Sequence, residues 1–414
     1  MCEIIYDNII IGGGISGLYV AYNMKNHKNL ICESNDYFGG RIYTYEKTIE
    51  KKKYNWEAGA GRFTKNMPLL IKLLKILKLY KKIKPISSTS VYYNENDSKC
   101  NEISSENIHK LIKKIINFLK KQYTKKELQQ YTLLKLIKRH FNPYYSTFIV
   151  NSYGYYSELG IMNAWDAIKL YKMMANEQFY VLQGGLSQII NKMVNHIKTY
   201  KNTELQKNCK ITQINYSDKI YHIRDSKNNI YFCKNLILAI PKPSLKKISY
   251  INNIKNIDSI DCEPLMRIYC VYPKSNNGKV WFNDFGKITT NNKLKYIIPI
   301  NPSLGIIMIS YTDGKYTKSW KNLNNKGLHD KIGKELKKLF PDLDIPKPLF
   351  IKAHYWDCGC GYWKPGVNSD NISREMIQPF KNQNLFICGE NYSTFQAWME
   401  GALSTANYVL KKLN

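Results

Sequence analysis

Three glycines near the start of the chain have a spacing that suits phosphate binding. Gly12, Gly14 and Gly17 form a G-x-G-x-x-G pattern between an apolar run and a segment with helical periodicity. Glycines at these positions let the backbone turn tightly and approach a pyrophosphate, while the first N–H groups of the helix bind the phosphates. With Ile15 and Ser16 opening the helix, the pattern predicts a dinucleotide site.

A carboxylate supports the same interpretation. Glu33 closes the next strand-like segment, about 20 residues after the glycines, where a carboxylate accepts hydrogen bonds from ribose hydroxyls. The glycines and Glu33 together do not distinguish a nicotinamide dinucleotide from a flavin dinucleotide.

A second stretch with reactive side chains, residues 355–366, reads YWDCGCGYWKPG. Its cysteines, Cys358 and Cys360, could serve a metal site, a redox pair, a cofactor tether or a pocket wall. The seven histidines are dispersed and His354 leaves a zinc site one ligand short, so we predict no metal. The ten cysteines show no CxxC pair, which favours a reducing, intracellular compartment without disulfides, and a Cys358–Cys360 ring would be very small.

The residues after Glu33 favour a flavin. They lead to Gly39-Gly40-Arg41 and resemble the E-x-x-x-x-x-GGR pattern of the flavin-containing amine oxidase family, which includes monoamine, polyamine and L-amino-acid oxidases. Further segments resemble this family in the same order along the chain, and these are residues 57–63, 183–185, 236–241, 385–390 and 398–402. Residues 57–63 match a glycine-rich stretch that lies near the flavin ring in the family. The resemblance rests on specific motifs at both ends of the chain, whereas the middle of the chain matches the family only in the general character of its residues.

This resemblance implies that the cofactor is FAD. Beyond the glycine pattern and Glu33, the implied FAD contacts are Gly40, Arg41, Gly61, Arg62, Ile211, Gly389, Glu390 and Met399. Met399 would lie at a helix N-terminus, whose positive end stabilises an anionic reduced flavin. Cys358 is the implied candidate for a covalent flavin bond and Cys360 the alternate, although many family members hold FAD without a tether.

The resemblance also implies the reaction. A primary or secondary amine or an L-amino acid would lose hydride to flavin N5, giving an imine and, with oxygen, hydrogen peroxide. Arg62 ends a G-x-x-R segment that binds the substrate carboxylate in amino-acid oxidases of the family, and its alternative is a cofactor or carbonyl contact. Trp398 and Trp363 are candidate aromatic walls, with core packing as the alternative for Trp398. Arg267 stands where the family usually has a lysine, so the acceptor is oxygen or another oxidant.

The aromatic stretch gains an interpretation from the flavin. The resemblance implies that its four aromatic residues include part of the pocket wall facing the flavin, and these are Tyr355, Trp356, Tyr362 and Trp363.

The chain is strongly basic, with 62 Lys+Arg against 32 Asp+Glu and a formal charge of +30. Such a field attracts nucleic acid or acidic small molecules. However, the lysines are scattered and Asn, Ile and Tyr are abundant, which is typical of an AT-rich genome such as that of a large DNA virus. Binding of nucleic acid is therefore one of the alternatives that the sequence leaves open. Two rival functions remain: a flavin desaturase or protoporphyrinogen-type oxidase, and a non-catalytic basic flavoprotein that binds nucleic acid.

The elements that must position these residues follow from apolar periodicity. Residues 4–33 read as a βαβ unit, and strand-like runs beyond Pro264 indicate an antiparallel sheet. We predict an α/β fold, α+β overall, with a Rossmann-like FAD-binding domain and an interleaved substrate domain of antiparallel sheet plus helices. The predicted FAD domain comprises 1–65, 179–250 and 375–414, with a helical insertion at 66–178 and a substrate-binding domain at 251–374.

Membrane association is not expected. No stretch approaches the ~20 apolar residues of a spanning helix, and the first residues run directly into a strand-like segment. The expected location is intracellular and soluble, in the cytoplasm or, for a viral protein, the host cytoplasm or virion.

Overall fold

The computed structural model describes residues 4–87, 89–95, 103–175 and 177–413. Its α-helices, in chain order, are Ile15–Asn23 (α1), Pro68–Ile76 (α2), Ser105–Gln122 (α3), Lys125–Leu128 (α4), Leu133–His140 (α5), Pro143–Tyr153 (α6), Tyr156–Gly160 (α7), Ala164–Met174 (α8), Ser187–Ile197 (α9), Lys242–Leu245 (α10), Asn325–Leu339 (α11), Ser369–Ile377 (α12) and Met399–Leu413 (α13).

The strands, in the same order, are Ile5–Ile11 (β1), Asn29–Cys32 (β2), Thr44–Ile49 (β3), Lys52–Glu57 (β4), Phe63–Thr64 (β5), Ile83–Ile86 (β6), Ser90–Tyr93 (β7), Ile103–Ser104 (β8), Phe179–Leu182 (β9), Thr203–Gln206 (β10), Ile211–Ser217 (β11), Ile220–Asp225 (β12), Ile230–Leu238 (β13), Ile260–Val271 (β14), Lys287–Thr290 (β15), Tyr296–Asn301 (β16), Ile306–Asp313 (β17), Phe350–Trp363 (β18) and Leu385–Ile387 (β19).

The first sheet carries the predicted dinucleotide motif. Its order is β10-β2-β1-β13-β12-β11, and β19 also pairs with β13. The strands β10, β2, β1, β13 and β19 run parallel, whereas β12 and β11 are antiparallel additions. Because the carboxyl ends of the parallel strands meet at one edge, ligands of such sheets bind there.

The turn from β1 into α1 needs its glycines. Gly12 has a φ of +108°, and a Cβ there would lie 2.5 Å from the Ala239 oxygen. A Cβ on Gly17 would collide with the Gly12 oxygen, so only glycine lets α1 pack this closely on the turn. The predicted βαβ unit is therefore confirmed.

The second sheet is mostly antiparallel, as expected for residues beyond Pro264. Its order is β18-β14-β17-β16-β15-β7-β8, with only the β15–β7 pair parallel. Two smaller sheets, β3-β4 and β5-β9-β6, lie outside both large ones. The mixed fold class is thus confirmed.

The region predicted to be a helical insertion contains α2 to α8, along with β6, β7 and β8. Ser104 caps the N-terminus of α3, because its hydroxyl accepts a hydrogen bond from the Asn107 N–H. A single apolar core links these helices to α1, α9 and α13, and it includes Ile112, Leu136 and Leu403.

Two strand predictions need revision. The resemblance to the family implies an aromatic-rich loop at 355–363, but this stretch is the second half of the long strand β18. Tyr and Trp favour strands, and the pairing of β18 with β14 over Ile260–Val271 outweighs the glycines. The apolar runs at 230–232 and 236–240 predict two separate strands, but residues 230–238 form the single strand β13, and β12 before it carries no signal that we recognised. Across the described ranges, no helix is long and apolar enough to cross a membrane.

Candidate active site

The N-terminus of α1 has the form of a phosphate site. Gly14 is the N-cap residue, no side chain caps the helix, and its first turn contains no acidic residue. A Cβ on Gly14 would meet nothing within 4 Å, so there is open space beside this turn. The free N–H groups that follow, from Ile15 and Ser16 onward, can therefore receive an anion.

Glu33 lies beside this turn, as predicted. Its Oε2 accepts a hydrogen bond of 2.8 Å from the Gly13 N–H, and its Oε1 accepts one of 2.8 Å from the Asn35 N–H. The Cys209 N–H bonds to the Glu33 backbone oxygen at 2.8 Å, which brings the start of β11, and with it buried Ile211, to this end of the sheet.

A second polar cluster joins three distant segments. The Arg41 Nη1 lies 2.6 Å from the Glu390 Oε2 and donates to the Gly359 oxygen at 2.9 Å. The other carboxylate oxygen of Glu390 accepts hydrogen bonds from the N–H groups of Gly361 and Ala397. Glu390 is 5% exposed and the Arg41 side chain is 30% exposed, so a partly buried ion pair joins the GGR turn, β18 and the loop after β19.

These features fit a dinucleotide such as FAD. The open space at Gly14, the uncapped helix, the buried carboxylate of Glu33 and the guanidinium of Arg41 supply donors and acceptors for phosphate and ribose groups. Gly389, with a φ of +134°, and Met399, the first residue of α13, follow the same edge of the first sheet.

Arg267 lies against the segment that resembles the family's flavin-ring stretch. Its Nη1 donates to the Glu57 oxygen at 3.1 Å, and a Cβ on Gly61 would lie 2.9 Å from this nitrogen. Its guanidinium is 5.0 Å from the centre of the Tyr311 ring. Burial raises the pKa of the neighbouring Glu57 to about 7.

Arg62 and Trp398 are brought together through a residue that sequence reasoning missed. The Arg62 guanidinium lies 4.0 Å above the Phe179 ring, and Phe179 stacks on Trp398 with ring centres 6.0 Å apart. The Arg62 Nη2 also donates to the Tyr155 hydroxyl at 2.9 Å. Phe179 opens β9 and carries no motif, so no local signal marked it.

Three tyrosines, which we call the tyrosine cluster, extend from this point: Tyr155, Tyr296 and Tyr311. Their ring centres are 5.3 to 5.8 Å apart, so each ring contacts the other two. A partly buried lysine, Lys287, places its Nζ 4.9 Å from the centre of the Tyr296 ring. None of these contacts joins residues that are adjacent in the chain, which explains why sequence motifs did not reveal them.

A carboxyl group lies near the tyrosine cluster. Glu158 accepts a hydrogen bond of 2.6 Å from the Tyr153 hydroxyl. Burial raises the pKa of Glu158 to about 7, although the Tyr153 hydrogen bond and the charge of Arg62 act in the opposite direction.

The aromatic stretch of β18 is divided between different surroundings. Trp363 is fully buried in the core beneath the first sheet, where its Nε1 donates to the Ser393 oxygen. The structure thus places it in packing rather than in a pocket wall, because alternate residues of a strand face opposite sides. Trp356 donates to the Ala58 oxygen at 2.8 Å, beside the 57–61 segment, and Tyr355 packs against a separate core.

The cysteines behave differently from expectation. Cys358 forms a disulfide with Cys262, which corrects the expectation of no disulfides and occupies the sulfur that was the first candidate for a flavin bond. Strand pairing of β14 with β18 brings these cysteines together. Cys360 is free and partly buried. Among the described residues there is no metal-binding cluster, and His354 instead accepts a hydrogen bond from the Trp56 Nε1.

Comparison with known proteins identifies the fold and the family. A putrescine oxidase structure, a double mutant redesigned in its cofactor binding, superimposes with a TM-score of 0.78 and 14% identity over 99% of both chains, which shows a shared fold. Aplysianin-A from Aplysia kurodai is 28% identical over 131 residues, covering 26% of this chain and 24% of that protein, so the match spans about a quarter of that relative. Residues 15–409 match the family described as flavin containing amine oxidoreductase. The chain therefore belongs to the flavin-containing amine oxidoreductases, for which FAD is the cofactor.

Proposed function

We propose that this oxidoreductase removes hydride from the amine-bearing carbon of a small molecule, and that its preferred substrates are amino acids rather than simple amines. The observation that carries the proposal is Arg62. It forms no ion pair with any described carboxylate, and it is held by Phe179 and the Tyr155 hydroxyl beside Trp398. A guanidinium fixed in this way is suited to bind a substrate carboxylate through two parallel hydrogen bonds.

The surroundings of Arg62 support loss of hydride from an amine. An amine must be neutral to give up hydride, and an apolar, aromatic environment lowers the pKa of a bound ammonium group. Phe179, Trp398 and the tyrosine cluster supply such an environment. When bound, FAD accepts the hydride at N5.

Arg267 bears on the electron acceptor. A guanidinium stays charged at all accessible pH values, so Arg267 supplies fixed positive charge but no exchangeable proton near neutral pH. We propose that oxygen is the final acceptor, giving hydrogen peroxide, or that another oxidant takes its place because the usual lysine is absent.

A second substrate class has one supporting observation. Glu158 offers a carboxyl group near the tyrosine cluster that could hold the distal ammonium of a diamine, and a putrescine oxidase shares the fold. We place this behind amino acids because the Glu158 carboxyl is already bonded to the Tyr153 hydroxyl and its raised pKa leaves it partly neutral near pH 7.

The domains proposed to bind FAD and the substrate have the boundaries predicted from the sequence. Residues 1–65, 179–250 and 375–414 would hold FAD, and 66–178 with 251–374 would surround the substrate. One strand departs from a simple division, because β9 pairs with β5 and β6 rather than with the first sheet.

Anaerobic mixing of the FAD-loaded protein with separate pools of amino acids, monoamines and diamines tests the function. We expect the amino-acid pool to bleach the flavin absorbance, and air to restore it with release of peroxide. Bleaching by a porphyrinogen but by none of the pools would support the rival oxidase, and no bleaching by any pool would end the amine-oxidation proposal.

A further inference from the structure

Each residue of the tyrosine cluster contacts a different cationic side chain. Arg62 donates to the hydroxyl of Tyr155, the Arg267 guanidinium lies 5.0 Å from the centre of Tyr311, and the Lys287 Nζ lies 4.9 Å from the centre of Tyr296. The rings touch one another, so the three cations border one continuous aromatic surface.

None of the three forms an ion pair with a carboxylate among the described residues, although the charge of Arg267 acts on Glu57 and that of Arg62 on Glu158. The ion pairs among the described residues involve other side chains. Arg62 and Arg267 donate only to neutral oxygens, and the Lys287 side chain forms no hydrogen bond with any described residue. A cation taken out of water without a partner is costly. Consistent with this, burial first and the charge of Arg62 second lower the pKa of Lys287 to about 7.

The acids nearby, Glu57, Asp313 and Glu158, are already engaged. Glu57 accepts hydrogen bonds from the Leu186 N–H and the Thr44 hydroxyl, and burial raises its pKa to about 7. Asp313 accepts hydrogen bonds from the N–H groups of Tyr156 and Ser157 at the start of α7. Glu158 is bonded to the Tyr153 hydroxyl, and its raised pKa leaves it partly neutral near pH 7. These groups leave the region with more positive than negative charge, which favours an anionic ligand.

The positions of the cations suggest separate tasks. Arg267 lies against Gly61 and Glu57, on the side of the segment that resembles the family's flavin-ring stretch. Arg62 lies between Phe179 and Tyr155, next to Trp398. Lys287, on β15, lies against the Tyr296 ring and close enough to Arg62 for their charges to interact, and it is therefore the cation left for a second group of the substrate.

We infer that Lys287 is a specificity-determining residue that binds a second anionic group of the substrate, so that the substrate class is acidic amino acids, with Arg62 on the α-carboxylate and Lys287 on the side-chain carboxylate. This inference rests on the proposed function. It extends that function from amino acids in general to those with two carboxylates.

Paired substrates test the inference, because L-glutamate and L-glutamine differ in charge but hardly in shape. In the FAD-loaded wild type, the anaerobic rate of flavin bleaching at low substrate should favour glutamate, or aspartate over asparagine, by on the order of tenfold to a hundredfold, as expected for a charge-assisted hydrogen bond. Lys287→Met should bring this ratio close to one, and Lys287→Arg should retain much of it. The matched control Lys279→Met removes an exposed lysine and should leave the ratio unchanged.

A binding measurement separates failure of this inference from failure of the proposed function. Glutarate has two carboxylates but no amine, and it should raise the melting temperature and perturb the flavin spectrum of the wild type and Lys279→Met, but not of Lys287→Met. Glutarate binding without any bleaching by amino acids would keep the anion site and remove the proposed reaction.

Three outcomes would overturn the inference. Neutral amino acids that bleach as well as acidic ones would refute it while the proposed function stands. Preferred bleaching by putrescine, lost in Glu158→Gln, would assign the far end of the site to an ammonium group. No bleaching and no glutarate binding would refute both.

Discussion

Charged side chains have charged or backbone partners at the edge of the first sheet, whereas the cations at the tyrosine cluster of the second sheet form no ion pairs among the described residues. At the first sheet, Arg41 and Glu390 form a close pair, and the carboxylate of Glu33 receives backbone N–H groups. At the tyrosine cluster, Arg62, Arg267 and Lys287 contact rings and hydroxyls and form no ion pair with any described carboxylate. The first region is held together by its own side chains, whereas the second keeps charge available for a ligand.

This difference separates the roles of the two regions. A paired and hydrogen-bonded charge fixes backbone segments, and its removal affects folding and cofactor retention. An unpaired buried cation contributes little to folding and is costly by itself, so its removal should affect substrate recognition. Variants of each region should therefore change different measurements.

The largest effect is expected at the turn of the first sheet. Gly17→Ala should abolish FAD binding, because a Cβ at residue 17 collides with the Gly12 oxygen and forces α1 away from the turn. The measurement is the flavin-to-protein absorbance ratio after purification. The matched control is Gly333→Ala in α11, where a Cβ meets nothing within 4 Å; it should keep FAD and gain up to ~1 kcal/mol of stability. A Gly17→Ala protein with full FAD would contradict the role of this turn.

The two regions also differ in how far the sequence predicts them. The βαβ unit and Glu33 were predicted because a strand, a glycine turn and a helix are local, and their spacing constrains where the carboxylate lies. The Arg41–Glu390 contact joins residues 349 positions apart, and it depends on how β18 and the loop after β19 pack. No spacing rule encodes such a contact.

The tyrosine cluster was hidden for a related reason. The chain has 33 tyrosines, so Tyr155, Tyr296 and Tyr311 do not stand out, and they come from a helix boundary and two separate strands. The Cys262–Cys358 bond was likewise missed, because only the register of β14 against β18 brings together cysteines 96 residues apart. Arg62 and Trp398 were identified as candidates, but their connection through Phe179 required the fold.

The next effect tests the tyrosine cluster directly. Arg62→Met should lower flavin bleaching by amino acids at low substrate by about a hundredfold, or about 2–3 kcal/mol, since a charge-assisted contact to the carboxylate is lost. The FAD content should stay normal. Arg224→Met, which removes an exposed arginine of β12, is the control and should change neither quantity. Loss of FAD from Arg62→Met would show instead that Arg62 serves the cofactor.

A smaller effect should follow from breaking the Arg41–Glu390 ion pair at the edge of the first sheet. Glu390→Gln removes the charge that faces Arg41 and should cost about 2 kcal/mol of unfolding free energy, together with weaker FAD binding. Chemical denaturation and FAD titration measure both. Lys125→Met breaks an exposed ion pair with Asp370 and should cost less than about 1 kcal/mol. Equal losses in the two variants would mean that burial adds nothing to the Arg41–Glu390 pair.

The smallest effect is a change in how stability depends on pH. The folded protein raises the pKa of Glu158 from 4.5 to about 7, mainly by burial, so between these values the folded state binds more protons than the unfolded chain. The contribution of Glu158 to stability is therefore present below pH 4.5 and is lost as the pH rises toward 7. Glu158→Gln should remove this loss, flattening the pH dependence between about 4.5 and 7 by at most ~1.4 kcal/mol per pH unit. Glu106→Gln, at an exposed acid whose pKa is lowered by Lys110, should leave that interval unchanged. An unaltered slope in Glu158→Gln would mean that this carboxyl stays charged, and the tyrosine cluster would then hold an anion of its own to balance Arg62.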